Sequence, residues 1–239
     1  MNRILFDSSE ISDGLAVFGA ERARHVVETL HGEVGQIIKT GVVDGLIGTS
    51  VIEKIEKVAP GYMITARVNH DSKALEPWVD LILAPPRPRV MKRLLPQLAA
   101  MGVGKIFLVG AKKVEKDFWG ATLLKEENYR PLLIDGLMQA GTTILPQLEI
   151  RRNFKRFVTD ELESVFPNVT RRVVAHPYKA NGQIAPSKDK LLLAVGPEGG
   201  WTEEEVELLQ SHAFSRYSLG GRILRSDTAL IALLARLGE

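Results

Sequence analysis

Along the first seventy residues, apolar positions come in short runs broken by turn residues. Ile4-Leu5-Phe6 and residues 35–40, 46–52 and 62–68 are β-branched or alternating stretches a few residues long, which is the pattern of short strands. Asp44-Gly45 and Pro60-Gly61 supply the turns, the former where a positive φ is needed. Residues 20–30 have helical character and end near Gly32, as helices often do. Several strands at such close spacing predict a small β-barrel.

The texture changes after Asn69-His70-Asp71-Ser72-Lys73, which reads as a linker. Strand-like runs at 78–84, 105–109, 172–175 and 191–195 alternate with helical patterns at 90–101, 123–139, 159–166, 202–212 and 227–237. That alternation predicts an α/β layer with a mostly parallel sheet. Pro96 falls inside the first helical pattern, where a kink is expected. The expected division is therefore a barrel over 1–73 and an α/β domain over 74–239. Neither an internal repeat nor a low-complexity tract is present.

Composition narrows the classes. The chain has 239 residues, 45% hydrophobic and 25% charged, which is ordinary globular usage and excludes collagen-like and broadly disordered proteins. No apolar run reaches the ~18 residues that cross a bilayer, and the start, MNRILFDSSEI, lacks the basic region and apolar stretch of a signal peptide. A cytoplasmic protein without membrane contact is expected. Cys is absent, which excludes disulfides, thiolate nucleophiles, zinc-thiolate sites and iron–sulfur clusters, and no metal is expected. The net charge of +2 conceals an asymmetry: residues 87–116 hold Arg87, Arg89, Lys92, Arg93, Lys105, Lys112, Lys113 and Lys116 against Glu115 alone. Such a patch can gather phosphates by charge and counterion release; a solvated helix face is the competing reading.

Two stretches carry the candidate chemistry. In the first, the buried run 191–195 passes into Gly196-Pro197-Glu198-Gly199-Gly200 and then Thr202, an N-cap with Glu205 as its capping-box partner. Ligands in open α/β sheets bind at such carboxyl ends of strands, and glycines let a ligand approach the backbone. The loop lacks the Lys of a triphosphate-binding loop and does not match the dinucleotide fingerprint. A plain, well-capped strand-to-helix turn is the competing reading. In the second stretch, Leu219-Gly220-Gly221-Arg222-Ile223-Leu224-Arg225-Ser226-Asp227-Thr228 opens onto an apolar helix that Ser226 or Asp227 can cap. Its arginines offer fixed forks of donors, or else form structural ion pairs.

These residues carry a resemblance. Gly196-Pro197-Glu198-Gly199-Gly200, followed by Leu219-Gly220-x-Arg222-Ile223-Leu224-Arg225-x-Asp227-Thr228-Ala229, resembles the RsmE family, the 16S ribosomal RNA (uracil-N3)-methyltransferases of the SPOUT superfamily. Arg3, His25-x-x-x-x-Leu30, Met101-Gly102-Val103-x-Lys105-Ile106 and Gln139-x-Gly141 with Pro146 extend it over most of the chain. The resemblance implies a PUA-like β-barrel, then an α/β domain whose C-terminal segment forms a trefoil knot, a feature general topology would not suggest. It also implies a homodimer through the knot, S-adenosylmethionine (SAM) as cofactor, and 16S rRNA or the small ribosomal subunit as partner. Cofactor contacts are then expected from His176, Gly196, Pro197, Glu198, Gly199, Leu219, Gly220, Ile223, Leu224 and Thr228. RNA contacts are expected from Arg3, Arg22, Arg24, His25, Arg87, Arg89, Lys112, Lys113 and Lys116. A guanidinium stays protonated, so Arg225, with Arg222 in reserve, is expected to stabilise charge developing on uracil oxygens and not to act as base. Glu198, His176 or a water is left for the proton, although Glu198 can instead orient the loop and His176 serve as a hydrogen-bonded wall.

The departures fall on the RNA side. Thr142 stands where the family usually has Arg, 97–103 lacks the family's Lys and Glu, and its "S-E-R-S" loop is replaced by Ala111-Lys112-Lys113-Val114-Glu115-Lys116. They leave two rivals: a SPOUT methyltransferase acting on a different RNA target, and an RNA-binding assembly factor that has lost catalysis.

Overall fold

The short apolar runs near the start pair as strands: β1 (Ile4–Phe6), β2 (Ile11–Ser12), β3 (Leu15–Phe18), then α1 (Ala20–Arg24), β4 (Ile37–Val42), β5 (Ile47–Val58) and β6 (Gly61–Ser72). The computed structural model describes residues 2–178 and 187–238. Its first unit comprises residues 1–75 and 134–145 and its second residues 76–133 and 146–239. In the first unit the strands form one six-stranded sheet, in the order β1-β4-β5-β6-β3-β2. β1 and β4 are parallel and the other pairs antiparallel. Alternation turns Ile38, Ile52, Ile64 and Ala66 onto a core shared with Phe6 and Phe18, whose ring centroids are 5.3 Å apart. Asp44 takes the positive φ its turn requires, 57°.

Two boundaries differ from expectation. Asn69 to Ser72 are strand and not linker: β6 continues along β5, with His70 opposite Gly48 and Ser72 opposite Ile47, because the β5 ladder supplies their backbone partners. Residues 134–145 join the first unit, so the 1–73 and 74–239 division misses a segment. The Asn2 and Arg3 amides donate to the Met138 carbonyl at 3.0 and 3.1 Å. Thr143 Oγ1 donates to Gly45 O at 2.7 Å and the Leu145 amide to Asp44 Oδ1 at 2.8 Å.

The second unit alternates β7 (Val79–Leu83), α2 (Pro88–Ala100), β8 (Val103–Val109), α3 (Glu126–Ala140, its last residues in the first unit), β9 (Gln147–Arg151), α4 (Phe154–Arg156), α5 (Leu162–Val165), β10 (Arg171–Ala175), β11 (Leu191–Val195), α6 (Glu203–Ser211), β12 (Ser215–Tyr217) and α7 (Ser226–Leu237). All its strand pairs are parallel, in the order β12-β10-β11-β7-β8-β9. β7 and β11 are buried along their whole length, as strands covered on both faces must be. Phe107, Phe157, Phe166, Leu192 and Val206 belong to the core on one face, with the Phe107 ring 5.2 Å from Phe157 and 5.3 Å from Phe166. α2 runs through Pro96 as one helix. Among the described residues no helix is long and apolar enough to cross a membrane.

Candidate functional site

Three neighbouring strands of the parallel sheet, β12, β10 and β11, release their loops at the same end, and a cavity of about 390 Å³ lies among those loops. That volume falls within the ~300–1,000 Å³ usual for small-ligand sites. From β11 come Gly196 to Trp201, from β10 His176 to Tyr178, and from β12 Ser218 to Leu224 with Arg222 but without Gly221.

Local chemistry shapes each loop. The Gly200 amide donates to Pro197 O at 2.8 Å, closing a turn, and Thr202 then starts α6. Its capping box is complete: the Glu205 amide donates to Thr202 Oγ1 at 3.3 Å and the Thr202 amide to Glu205 Oε2 at 2.8 Å. A Cβ on Gly196 would stand 2.9 Å from the Trp201 amide nitrogen, so no larger residue fits that turn. In the β12 loop, Ser218 Oγ donates to Pro177 O at 3.0 Å and accepts the Gly220 amide at 3.2 Å, joining two walls. Gly220 has φ 114°, outside the range of ordinary side-chain-bearing residues. The His176 amide donates to Tyr217 O at 2.9 Å, and its ring Nδ1 accepts the Tyr178 amide at 3.3 Å. His176 is thus a wall residue with an engaged ring nitrogen.

The structure brings together His176, Gly196, Pro197, Glu198, Gly199, Leu219, Gly220, Arg222, Ile223 and Leu224. It does not bring Thr228 there: Thr228 is turned to another cavity, of about 470 Å³, with Val90 and Arg93 of α2 and Asp227 and Ile231 of α7. Arg225 lies outside the lining as the N-cap of α7, next to the lining residue Ser226. Neither Ser226 nor Asp227 is that N-cap; Asp227 Oδ1 accepts the Thr228 amide at 2.9 Å from within the first turn. Among the described residues the Arg222 and Arg225 side chains have no partner. Glu198 is held in place, its Oε1 accepting the Arg87 amide at 3.1 Å just ahead of α2.

Sequence reasoning missed Tyr178, Trp201, Tyr217 and Ser226 in the lining, and assigned Lys113 to RNA although it lines the cavity too. Trp201 was legible, since it follows the glycines and precedes the N-cap. Tyr217 was not, because its strand has only three residues.

Of the residues expected on RNA, Arg3 donates to the carbonyls of Gly141 at 3.0 Å, Thr40 at 2.7 Å and Gly48 at 2.9 Å. Arg22 donates to Leu5 O at 2.7 Å and pairs with Glu10, whose carboxyl it holds below the usual range chiefly by hydrogen bonding. Both guanidinium groups thus staple the first unit. Arg24 is exposed, and His25 borders a first-unit cavity of about 610 Å³. Arg87 pairs with Glu115 at 2.9 Å, while Arg89, Lys112 and Lys116 are exposed.

The fit to an adenosyl cofactor is chemical. Leu219, Ile223 and Leu224 line the cavity yet are 36%, 69% and 39% exposed, aliphatic surface that a flat heterocycle would cover. Trp201 Nε1 is buried at the cavity wall with no partner among the described residues. The glycine loops leave peptide groups for a ligand's polar edges.

A parallel α/β sheet with a glycine-walled cavity at its carboxyl edge defines a protein built around a small ligand. The chain belongs to the RNA methyltransferase family, whose domain model matches residues 74–238. It is 28% identical over 242 residues to ribosomal RNA small subunit methyltransferase E of Treponema pallidum, covering 98% of this chain and 90% of that protein. It is 27% identical over 237 residues to ribosomal RNA small subunit methyltransferase E 1 of Borreliella burgdorferi, covering 97% and 95%. In fold it is similar to ribosomal RNA small subunit methyltransferase E of Neisseria gonorrhoeae, a crystal structure bound to S-adenosyl methionine. There the TM-score is 0.73 at 20% identity, with 98% of this chain and 95% of that one covered. A Legionella pneumophila methyltransferase structure with bound SAM has TM-score 0.74 at 23% identity, covering 98% and 95%. The relatives agree with the resemblance read from the two glycine motifs.

Proposed function

We propose that this chain uses SAM to methylate N3 of a uridine in 16S rRNA of the small ribosomal subunit, in the cytoplasm. The observation that carries the reading is the meeting of the two glycine motifs, separated in sequence by the whole of α6 and β12, around one cavity. When bound, SAM supplies an electrophilic methyl group on a sulfonium. The chain's task is then mostly alignment. The aliphatic side chains of Leu219, Ile223 and Leu224 would cover its heterocycle, and the turn at Gly196 to Gly200 would offer peptide groups to its polar edges. Uracil N3 gives its proton to a water, so negative charge gathers on O2 and O4 until N3 takes the methyl and the carbon–sulfur bond breaks to leave a neutral thioether. Arg222 on the cavity wall and Arg225 beside it are the donors available to that charge. Glu198, held by the Arg87 amide, orients the loop.

The finer architecture belongs to the same reading. Unit 1 is taken as a PUA-like barrel that binds RNA together with the basic stretch 87–116. The C-terminal segment is taken as a trefoil knot, supported by its sheet order: β11 lies between β10 and β7, and the chain then returns outside β10 as β12. The chain is taken to pair with a second copy through this region, supported by Val90, Leu94, Ile231 and Ala235 on the α2–α7 cavity.

The test is incubation with labelled SAM and small subunits from a strain lacking its own such enzyme, followed by nucleoside mass spectrometry. Appearance of 3-methyluridine in 16S rRNA is expected. No label there despite measurable SAM binding overturns the assignment of target.

A further inference from the structure

The stretch after β8, residues 111–116, reads by charge as a phosphate-gathering loop, yet it is tied to the glycine loop directly through Lys113 and indirectly through Glu205 and Arg87. Lys113 Nζ donates to the Gly199 carbonyl at 2.8 Å. Its stem lies over the same residue, for a Cβ on Gly199 would stand 3.0 Å from Lys113 Cδ and 3.3 Å from its Cβ. The Lys112 amide donates to Glu205 Oε1 at 2.7 Å, on the carboxylate that closes the α6 capping box. Glu115 accepts Arg87 Nε at 2.9 Å, and the Arg87 amide donates to Glu198 at 3.1 Å. Lys113 is the tie that meets the glycines themselves, and it lines the cavity.

Gly199 and Gly200 have no side chains to hold them, so ordering them on ligand binding costs more conformational entropy than ordering any other pair. A donor fixed to the Gly199 carbonyl sets that peptide group before the ligand arrives, and preorganisation of this kind appears as affinity. We propose that Lys113 is a positioning residue of the cofactor loop and not a phosphate contact, with phosphate binding left to Lys112 and Lys116 on the same stretch. The proposal rests on the SAM reading above.

The test uses the full chain and two variants at one position. Lys113→Met keeps the stem and removes the donor; Lys113→Arg restores a donor. The readouts are SAM affinity by calorimetry and the salt dependence of binding to small ribosomal subunits. Lys113→Met is expected to weaken SAM about tenfold, as loss of a charge-assisted hydrogen bond does, with the salt slope as in the wild type. Lys113→Arg is expected to recover most of the affinity. Lys116→Met provides the contrast, lowering the slope by about one. Unchanged SAM affinity in Lys113→Met, or a slope lowered as in Lys116→Met without loss of SAM affinity, overturns the proposal alone. A wild-type chain that takes up no SAM overturns the cofactor reading and this proposal with it.

Discussion

Arg172 is nearly sealed from water and donates to both oxygens of Glu163, at 2.6 and 2.8 Å, and to the carbonyls of Val169 and His212 at 2.9 and 3.0 Å. Those hydrogen bonds hold the Glu163 carboxyl down to about 2, from an ordinary value of 4.5, with His212 adding to the effect. A carboxyl depressed in the folded state contributes stability above its unfolded value and loses it as pH falls through the folded one. Glu163→Gln is therefore expected to cost about 1 kcal/mol near neutral pH, modest because the Glu163 side chain is exposed. The melting difference from wild type should close between pH 4.5 and 2; a gap constant with pH would contradict the pairing. At the site, Arg222→Ala and Arg225→Ala should each reduce turnover by ~10²-fold or more with SAM affinity little changed. Loss of both properties would place that arginine in cofactor binding instead. Sequence shows that these two arginines lie between a glycine pair and an apolar helix, but not that Arg3 and Arg22 are consumed by carbonyls and Glu10. Those partners lie up to 138 residues away, and residue type alone does not separate a staple from a phosphate contact.

At the scale of elements, the inner parallel strands were legible because burial on both faces demands unbroken apolar runs, as in Leu191 to Val195. Four strands were not. β2 has two residues and β3 four, β9 reads Gln-Leu-Glu-Ile-Arg with Glu149 and Arg151 in an ion pair, and β12 reads Ser-Arg-Tyr. Such strands exist because a neighbour offers a ladder, which is tertiary information. The α6 capping box was legible from Thr202 and Glu205 alone, since its partners are three residues apart. Thr202→Ala is expected to destabilise by about 1 kcal/mol, measured by chemical denaturation. It should also loosen the glycine loop just ahead of it, so SAM affinity should fall along with stability. Stability lost without any change in affinity would show that cap and loop act independently.

For the whole molecule, sequence order is a poor guide to sheet order. β11 follows β10 yet inserts between it and β7, and 134–145 leaves its sequence neighbours for the first unit. Neither step follows from periodicity, which reports what a segment buries but not against what. Self-association is testable at this scale: sedimentation should give the mass of two chains, and Ile231→Glu on the α2–α7 cavity should give one. A wild-type chain that sediments as one removes the dimer from the proposal. One consequence of the sheet order concerns exchange of backbone protons with heavy water. β11 is hydrogen-bonded on both sides and wholly buried, so its amides open only with large-scale unfolding. The loop it enters is exposed at Glu198 and Gly199. Within ten consecutive residues the chain therefore carries its own slow clock and its own fast one. A ligand seated on the turn should slow the second while the first keeps time, a built-in internal standard for reading occupancy residue by residue.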